Sequence, residues 1–365
     1  MAIIPMACTH KAIRAQRVNN SRRRVDACLI TIMKRSREAP PGPSSSTTPF
    51  RAAEKALKAY RDPRRQQDPQ VWSSVIDFDD AEAHAGSIER LAPAAGAPPW
   101  LGAAHIWSLR GVDGFRFIRC PFDENRMLDL AHLALTEWIE PPSATNLPTA
   151  AGVTIDGHAQ LWDRHQREPE GSLLSRLAWA TVGYQYQWTE RRYDPSKRSP
   201  FPPELAVLSS ELAAACGWQL TPEAAIINLY GPASTMGGHK DDAEPCQTAP
   251  IVSISLGLEC VYLLGGETKA DPPVALRLRS GDVVVQGGAS RRYVHGVPRI
   301  FAGSLPPALS AESPLASAAA ALRPVASWLE THRLNINVRQ VFDRTCQVLD
   351  CARPDTAADD SDARQ

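Results

Sequence analysis

Hydrophobic residues after position 222 occur in short runs separated by glycine, proline and aspartate. Such runs are typical of antiparallel strands, and their spacing of roughly 8 to 12 residues predicts a sandwich or jelly roll. The runs cover 225–230, 251–256, 260–264, 275–278, 282–286 and 334–341. A stretch rich in alanine, serine and proline, at about 303–330, interrupts this pattern. We expect it to be an insertion between two strands, with a helix over 315–322.

Upstream of these runs, the apolar residues mostly repeat at helical spacing. Ala53, Leu57 and Tyr60 predict one helix, and further helices are predicted over 127–138 and 203–216. The chain as a whole is therefore expected to be an α+β protein with a helical N-terminal part and a β-rich C-terminal part.

One upstream segment has the alternation of a strand instead. Between 181 and 188 this alternation places Tyr184, Tyr186 and Trp188 on one face. Three aromatic side chains on one face fit a plain core stripe, or a platform on which an unstacked nucleic-acid base lies. The residues alone leave both interpretations open.

Both ends of the chain differ in composition from the middle. Residues 1–37 carry nine basic side chains and one acidic side chain. Such a segment is compatible with an organellar transit peptide, a nuclear address, an arm lying on phosphate backbone, or a tail without an assigned task. A proline- and serine-rich stretch follows, so we predict a disordered basic arm over 1–49. A disordered acidic tail is predicted over 346–365.

Overall composition excludes several classes of protein. The 365 residues include 40 lysines and arginines against 40 aspartates and glutamates, so the formal net charge is +0. A nucleic-acid partner would have to contact a local basic patch, and histone-like wrapping proteins are excluded. The eight cysteines contain no CxxC pair, which argues against a disulfide framework and a zinc ribbon. No apolar stretch reaches the ~18 residues of a membrane span, which predicts a soluble protein.

His239 and Asp241 form a His-x-Asp pair, whose side chains point to the same side of an extended backbone. The pair alone is weak evidence, because a histidine near an aspartate usually forms a surface hydrogen bond. His295 is a candidate third ligand, since a β-fold can return the chain to the same end after 282–286. Two imidazoles and one carboxylate form the facial triad of non-haem iron(II) oxygenases, whereas zinc prefers a closed or nearly closed tetrahedron.

The segment 333–339 alternates between polar and apolar residues. Its polar positions share one face, and the other face carries Leu334, Ile336 and Val338. Buried guanidiniums need anions, so Arg333 and Arg339 are expected to bind a dicarboxylate through bidentate contacts. Asn228 and Tyr230 would add neutral donors to the same ligand. The alternative is a solvent-facing edge strand with charged residues.

Several motifs now agree in order, spacing and residue type with a known family. They are Asn228-x-Tyr230, His239-x-Asp241, 254–257, 281–285 with Gly287-Gly288, Ser290-Arg291, His295-Gly296 and Arg333-x-Asn335-x-x-x-Arg339. This set resembles the AlkB family of iron(II)- and 2-oxoglutarate-dependent dioxygenases. The branch called AlkB homologue one is most similar, on matches at 177–188, 200–202, 214–217 and 338–341. The likeness runs from about 50 to 343 and is loose before 177.

The resemblance implies a double-stranded β-helix, a cupin-like jelly roll, with flanking helices and an N-terminal nucleotide-recognition extension. It divides the chain into a helical extension over 50–176 and a catalytic domain over 177–345, whose dioxygenase core covers about 221–342. It further implies that His239, Asp241 and His295 bind Fe(II), and that 2-oxoglutarate, used together with O2, is held by Asn228, Tyr230, Arg333, Asn335 and Arg339. Two residues depart from the family: Asn337 stands where threonine is common, and Gln286 where several members have tryptophan.

The function implied by the resemblance is oxidative demethylation. N-methyl groups would be removed from tRNA methyladenine, DNA N6-methyladenine or both, releasing formaldehyde, succinate and CO2. Tyr184, Tyr186 and Trp188 would receive the base, with basic residues at 191–198 nearby. We expect a monomer that binds nucleic acid and no membrane, in the cytoplasm, the nucleus or both, or in an organelle addressed by the basic N-terminus. The alternatives are a hydroxylase of a protein or other substrate, an iron-independent lyase at abasic DNA, and a binding module with a vestigial site.

Overall fold

The structure is a computed structural model that describes residues 47–58, 72–147 and 160–343. The predicted basic arm, the predicted acidic tail and Tyr60 lie outside these residues, apart from the last few positions of the arm. None of the described helices is long and apolar enough to cross a bilayer.

The described residues form helices and strands that alternate along the chain. The helices are α1 (Pro49–Lys58), α2 (Glu124–Leu133), which continues as a π-helix (Ala134–Trp138), α3 (Leu161–Arg167), α4 (Pro203–Ala215), α5 (Pro314–Ala318) and α6 (Leu322–Leu329). The strands are β1 (Val75–Ile76), β2 (Ile88–Leu91), β3 (His105–Leu109), β4 (Phe115–Arg119), β5 (Ala144–Thr145), β6 (Trp179–Gln187), β7 (Arg192–Arg198), β8 (Ala224–Tyr230), β9 (Met236–His239), β10 (Ile251–Gly257), β11 (Cys260–Leu264), β12 (Val274–Leu278), β13 (Val283–Gln286), β14 (His295–Ile300) and β15 (Arg333–Arg339).

The strands from β8 onward form the two facing layers of a jelly roll. The larger sheet contains the antiparallel order β13-β10-β15-β8, and the smaller sheet contains β12-β11-β14-β9. Apolar side chains of both sheets, among them Tyr230, Val284, Leu264 and Leu276, meet in one buried cluster. The predicted double-stranded β-helix is therefore confirmed.

The N-terminal extension is not wholly helical, so that part of the prediction is wrong. β2, β3 and β4 extend the larger sheet beyond β13, where Ile118 pairs with Val283. These strands are four or five residues long, and in β4 the buried Phe115 and Phe117 flank Arg116, but the buried Ile118 interrupts the alternation. The alternation was too short to stand out among the turns that surround it.

The remaining elements largely match the predicted pattern. The helices expected over 127–138 and 203–216 are present, and the insertion at 303–330 holds α5 and α6 in place of one helix over 315–322. β9 and β14 were missed. Their sequences, Met-Gly-Gly-His and His-Gly-Val-Pro-Arg-Ile, carry glycine and proline, which weaken the signal of a strand.

Ion pairs join the extension to the jelly roll. Arg279 on the smaller-sheet side donates to both oxygens of Asp77, at 2.7 and 2.6 Å. Burial alone would raise the pKa of Asp77, but the hydrogen bonds and charge of Arg279 outweigh burial and lower it to about 2. Arg119 bridges Asp79 and the buried Asp282 in the same region. The loop after β1 is thereby fixed against β12 and β13.

Candidate active site

Three side chains predicted as metal ligands come together between the ends of β9 and β14. His239 ends β9, His295 begins β14, and the two residues pair directly across the smaller sheet. One oxygen of Asp241 lies 3.8 Å from Nε2 of His239, and the other lies 3.7 Å from Nε2 of His295. All the candidate ligand atoms lie within 4.8 Å of one another. The group is compact enough to bind a single metal ion.

The backbone orients both imidazoles with Nε2 toward the centre. Nδ1 of His239 lies 3.0 Å from the carbonyl oxygen of Gly237, and Nδ1 of His295 lies 3.1 Å from that of Tyr293. A carbonyl can only accept, so Nδ1 carries the proton and Nε2 keeps a free lone pair. Burial lowers the pKa of His295, which favours the neutral form that binds metals.

The polar face of β15 lies against polar residues of β8 and β10. Arg333 pairs with Tyr230, and Asn335 pairs with Asn228 on one side and with Ser255 on the other. Because β15 lies between two strands, the alternative of a solvent-facing edge strand is excluded. The predicted face of amide, phenol and guanidinium groups is present.

Arg333 is a buried cation without an anion. Its side chain is 1% exposed, and its guanidinium donates to the hydroxyl of Ser255 at 2.8 Å and to the carbonyl of Leu258 at 3.3 Å. Its Nε has no partner, and within the described part of the chain Arg333 pairs with no carboxylate. A buried guanidinium in this state is unfavourable unless an anion binds it. The site therefore fits the carboxylate of a small diacid.

Arg333 and the histidines line the same cavity. Its walls include Asn228, Tyr230, His239, Ser253, Tyr262, Gln286, His295, Arg333, Asn335 and Asn337. Asn337 and Gln286, the two departures from the family, both lie on this wall. Gln286 accepts a 2.6 Å hydrogen bond from the hydroxyl of Tyr262, whose ring stacks on His295. The side-chain oxygen of Asn337 is buried without a partner, so it remains available to a ligand's donor.

Arg339 has a different surrounding from Arg333. Its guanidinium donates to Glu244 at 2.8 Å and to Asp241 at 3.3 Å. Arg291 donates to the other oxygen of Glu244 at 3.0 Å and also to the carbonyl of Asp241. The expectation that both arginines of β15 depend on a dicarboxylate for their anions is therefore wrong for Arg339, and it stays a prediction for Arg333. Arg339 has its anions within the protein.

This charge cluster of Asp241, Glu244, Arg291 and Arg339 keeps the candidate ligand Asp241 ionised. Burial would raise the pKa of Asp241, but the positive charges of the arginines, that of Arg339 above all, outweigh burial and lower it. The pKa of Glu244 is lowered for the same reason, with Arg339 again opposing burial. Glu244 and Arg291 were not predicted as site residues. Their positions, three residues after Asp241 and four before His295, carry no periodic signal.

Glu244→Ala should destabilise the protein by about 3–5 kcal/mol, because it leaves two buried arginines with one carboxylate. Urea unfolding of the metal-free protein measures the change. Glu312→Ala is the matched control, since Glu312 pairs with Arg323 at an exposed position and should contribute no more than about 1 kcal/mol. Equal stability losses in the two variants would contradict this view of the cluster.

The predicted aromatic face lies on the β6–β7 hairpin. The ring centre of Tyr186 is 4.8 Å from that of Trp188 and 5.3 Å from that of Tyr193. Trp188 is 41% exposed, whereas Tyr193 is buried. The face is thus partly core and partly open surface. Burial raises the pKa of Tyr193 and the charge of Arg339 opposes this rise, so the hairpin lies close to the charge cluster.

Comparison with known proteins places this geometry in a family. The chain is 44% identical over 175 residues to an Arabidopsis thaliana protein named DNA N(6)-methyladenine demethylase ALKBH1A, a match of 47% of this chain and 50% of that protein. It is 32% identical over 309 residues to human Nucleic acid dioxygenase ALKBH1, a match of 73% of this chain and 78% of that protein. It is also 34% identical over 239 residues to Schizosaccharomyces pombe tRNA demethylase abh1, a match of 60% of this chain and 75% of that protein. The sequence model described as 2OG-Fe(II) oxygenase superfamily matches residues 149–339. The chain belongs to the AlkB family within this superfamily.

Membership of the AlkB family means dependence on Fe(II) and 2-oxoglutarate, and the residues present fit both. Two neutral imidazoles and an ionised carboxylate suit a ferrous ion. The anion-free guanidinium of Arg333 suits the far carboxylate of the diacid. Among the residues missed from the sequence, Ser255 had a usable signal, since Ser253 and Ser255 alternate within an otherwise apolar strand.

Proposed function

We propose that this AlkB-family chain removes N-methyl groups from nucleic-acid bases, acting on tRNA methyladenine, DNA N6-methyladenine or both. The observation that carries the proposal is the meeting of a two-histidine, one-carboxylate group with an anion-free buried arginine in one cavity. The names of the plant, human and yeast relatives supply the substrate class.

His239, Asp241 and His295 would hold the ferrous ion. The carbonyls of Gly237 and Tyr293 fix the two imidazoles, and Arg339 holds the carboxylate of Asp241. These contacts keep the ligands in place before the metal binds, so little reorganisation is needed. With three protein ligands, the remaining coordination positions stay open to the cosubstrates.

Arg333 would bind the distal carboxylate of 2-oxoglutarate, with Ser255 fixing the guanidinium. Tyr230, Asn228 and Asn335 would add polar contacts along the same wall. When bound, Fe(II) and 2-oxoglutarate supply the oxidising chemistry that uses O2, yields succinate and CO2, and releases the methyl group as formaldehyde. Arg339 would act here by holding Asp241, beside the bound diacid.

The β6–β7 hairpin would bind the nucleic acid. Trp188 and Tyr186 offer aromatic surface for an unstacked base. Exposed basic residues on the same hairpin, Arg191, Arg192, Lys197 and Arg198, suit phosphate groups. Arg198 also lies over the ring of Tyr184, 5.0 Å from its centre. A neutral chain would in this way present a local basic patch to its substrate.

Trp188→Ala should raise the KM for a methylated oligonucleotide roughly 5- to 150-fold, because stacking of one base contributes about 1–3 kcal/mol. The KM for 2-oxoglutarate should not change, since Trp188 is not among the cavity residues. Steady-state formaldehyde release measures both constants. Trp100→Ala is the control: Trp100 is similarly exposed, at 43%, but bonds to Glu211 on α4. An unchanged KM for Trp188→Ala would remove this residue from the substrate site.

The function is tested by mass spectrometry of nucleosides. Total tRNA and genomic DNA are incubated with the purified protein, Fe(II), 2-oxoglutarate and ascorbate, and with the same mixture lacking 2-oxoglutarate. We expect loss of a methyladenine only in the complete reaction, with equimolar succinate. Succinate formed without a change in any nucleoside would indicate a hydroxylase of another substrate. Cleavage of abasic DNA without iron would indicate a lyase.

A further inference from the structure

Helix α1 packs on the outer side of the smaller sheet, directly behind the two candidate histidine ligands. Phe50 is fully buried there. A Cβ atom added at Gly238 would lie 2.4 Å from the Phe50 ring, and one added at Gly265 would lie 2.9 Å from it. The ring therefore touches the backbone of β9 itself, which is possible only because residue 238 has no side chain.

Strand geometry relates this packing to the site. Neighbouring residues on a strand face opposite sides, so Gly238 and Val294 face α1 where His239 and His295 face the cavity. Val294 belongs to the same buried cluster as Phe50 and Leu57. The helix thus supports the residues that immediately precede both histidines.

Glu54 of α1 makes a direct bond to the strand that ends at His239. It is 9% exposed, and its Oε1 accepts a hydrogen bond of 2.7 Å from the backbone N–H of Gly238. Among the described strands β9 is the last of its sheet, so no described strand pairs with this outward N–H. The carboxylate takes the place of that missing strand.

The same peptide group also orients the imidazole. The N–H of Gly238 and the C=O of Gly237 belong to one planar unit. Its N–H donates to Glu54, and its C=O accepts the proton on Nδ1 of His239. Between two glycines a peptide group can rotate with little steric hindrance, so a partner at each end is needed to hold it.

His295 has the corresponding arrangement without a side chain. The C=O of Tyr293 accepts from Nδ1 of His295, and the N–H of the same peptide, on Val294, donates to the carbonyl of Gly266 at 2.8 Å. The peptide that orients His295 is therefore held by a backbone carbonyl. The peptide that orients His239 is held by a carboxylate 184 residues before Gly238.

We propose that Glu54 is a positioning residue for the metal site, acting through the Gly237–Gly238 peptide on His239. The inference rests on the proposed function, in which His239 binds the ferrous ion. A carboxylate at the N–H end polarises the peptide and makes its carbonyl a stronger acceptor, which raises the basicity of the imidazole. Metal affinity is therefore linked to the bond between Glu54 of α1 and Gly238 of β9.

Metal binding to the full-length apoprotein tests the proposal. Titration with Co(II), followed by calorimetry and by absorbance, gives the dissociation constant without turnover. Glu54→Ala should weaken binding roughly 10- to 100-fold, the usual effect of removing a group that orients a ligand. Glu54→Gln keeps an acceptor oxygen and should bind more tightly than the alanine variant. The KM of the Glu54→Gln variant for 2-oxoglutarate, measured at saturating Fe(II), should equal that of the wild type.

Two control variants on α1 separate positioning from folding. Lys55→Ala changes an exposed neighbour and should leave both the dissociation constant and the melting temperature unchanged. Leu57→Ala removes buried apolar contact without touching the Glu54 bond, so it should lower the melting temperature and leave Co(II) affinity close to that of the wild type. A purely structural Glu54 would behave like Leu57.

The outcomes distinguish this inference from the proposed function. Glu54→Ala with wild-type Co(II) affinity, or Glu54→Gln as weak as Glu54→Ala, would overturn the inference. His239→Ala is measured alongside. If it also binds Co(II) normally, the metal site itself is misassigned. If it loses binding while Glu54→Ala keeps it, the site stands and the positioning role does not.

Discussion

His239→Ala should reduce formaldehyde release by more than about 10³-fold and abolish the rise in melting temperature that Fe(II) or Co(II) produces. Among the described residues three groups converge on the candidate metal position, and loss of one leaves the facial set of ligands incomplete. Nδ1 of His239 contacts the carbonyl of Gly237, two residues away, and β9 lies at the edge of its sheet among the described strands. Without metal, the free energy of unfolding of the variant should therefore lie within about 1 kcal/mol of that of the wild type.

Lys240→Ala is the neighbouring control for His239→Ala, and it should keep both activity and metal-induced stabilisation. Asp241→Ala should also lose activity, but with a loss of stability, because it removes an anion from the charge cluster. Retention of nucleic-acid processing by His239→Ala would contradict the oxidative account. It would instead favour the lyase alternative.

Arg333→Ala should raise the KM for 2-oxoglutarate roughly 10²- to 10⁴-fold. Two charge-assisted hydrogen bonds to one carboxylate contribute about 1.5–3 kcal/mol each, and each 1.4 kcal/mol corresponds to a factor of about ten. Among the described residues that line the cavity Arg333 is the only arginine or lysine, and the other arginine of the strand, Arg339, is paired with Asp241 and Glu244. Co(II) affinity in the absence of 2-oxoglutarate should stay at the wild-type value.

Arg333→Lys separates charge from geometry at this position. An ammonium keeps the positive charge but cannot form the planar fork, so the KM should lie between those of the wild type and Arg333→Ala. Initial rates of succinate formation over a range of 2-oxoglutarate concentrations give the constants. A KM unaffected by the alanine substitution would assign the distal carboxylate to another residue.

Prediction from the sequence was most successful where the functional residues follow the two-residue repeat of a strand. Alternation along 333–339 predicted that Arg333 and Asn335 share one face, and the structure pairs them with Tyr230 and Asn228. The three candidate metal ligands could be predicted because a His-x-Asp pair is short and a third histidine completes a known coordination set. In these cases the chemistry and the strand geometry select the same residues.

Contacts between residues far apart in the chain could not be predicted from the sequence. Glu244 reaches Arg339 through an irregular loop, and Glu54 reaches Gly238 from the first described helix. Neither position shows a pattern, because a single hydrogen bond between elements far apart in the chain imposes no repeat. The strands of the extension were missed for a related reason: each is short, and β4 joins them to the larger sheet by pairing with β13, where Ile118 and Val283 are about 165 residues apart.

β15 supports two sites at once, because Arg333 begins the strand and Arg339 ends it. An inserted or deleted residue between them would turn one end of the strand to the opposite face. The proposed binding of the diacid by Arg333 could then not be combined with the contact of Arg339 to Asp241. In this segment, residues can therefore be substituted, but an insertion or deletion would cost one of the two functions.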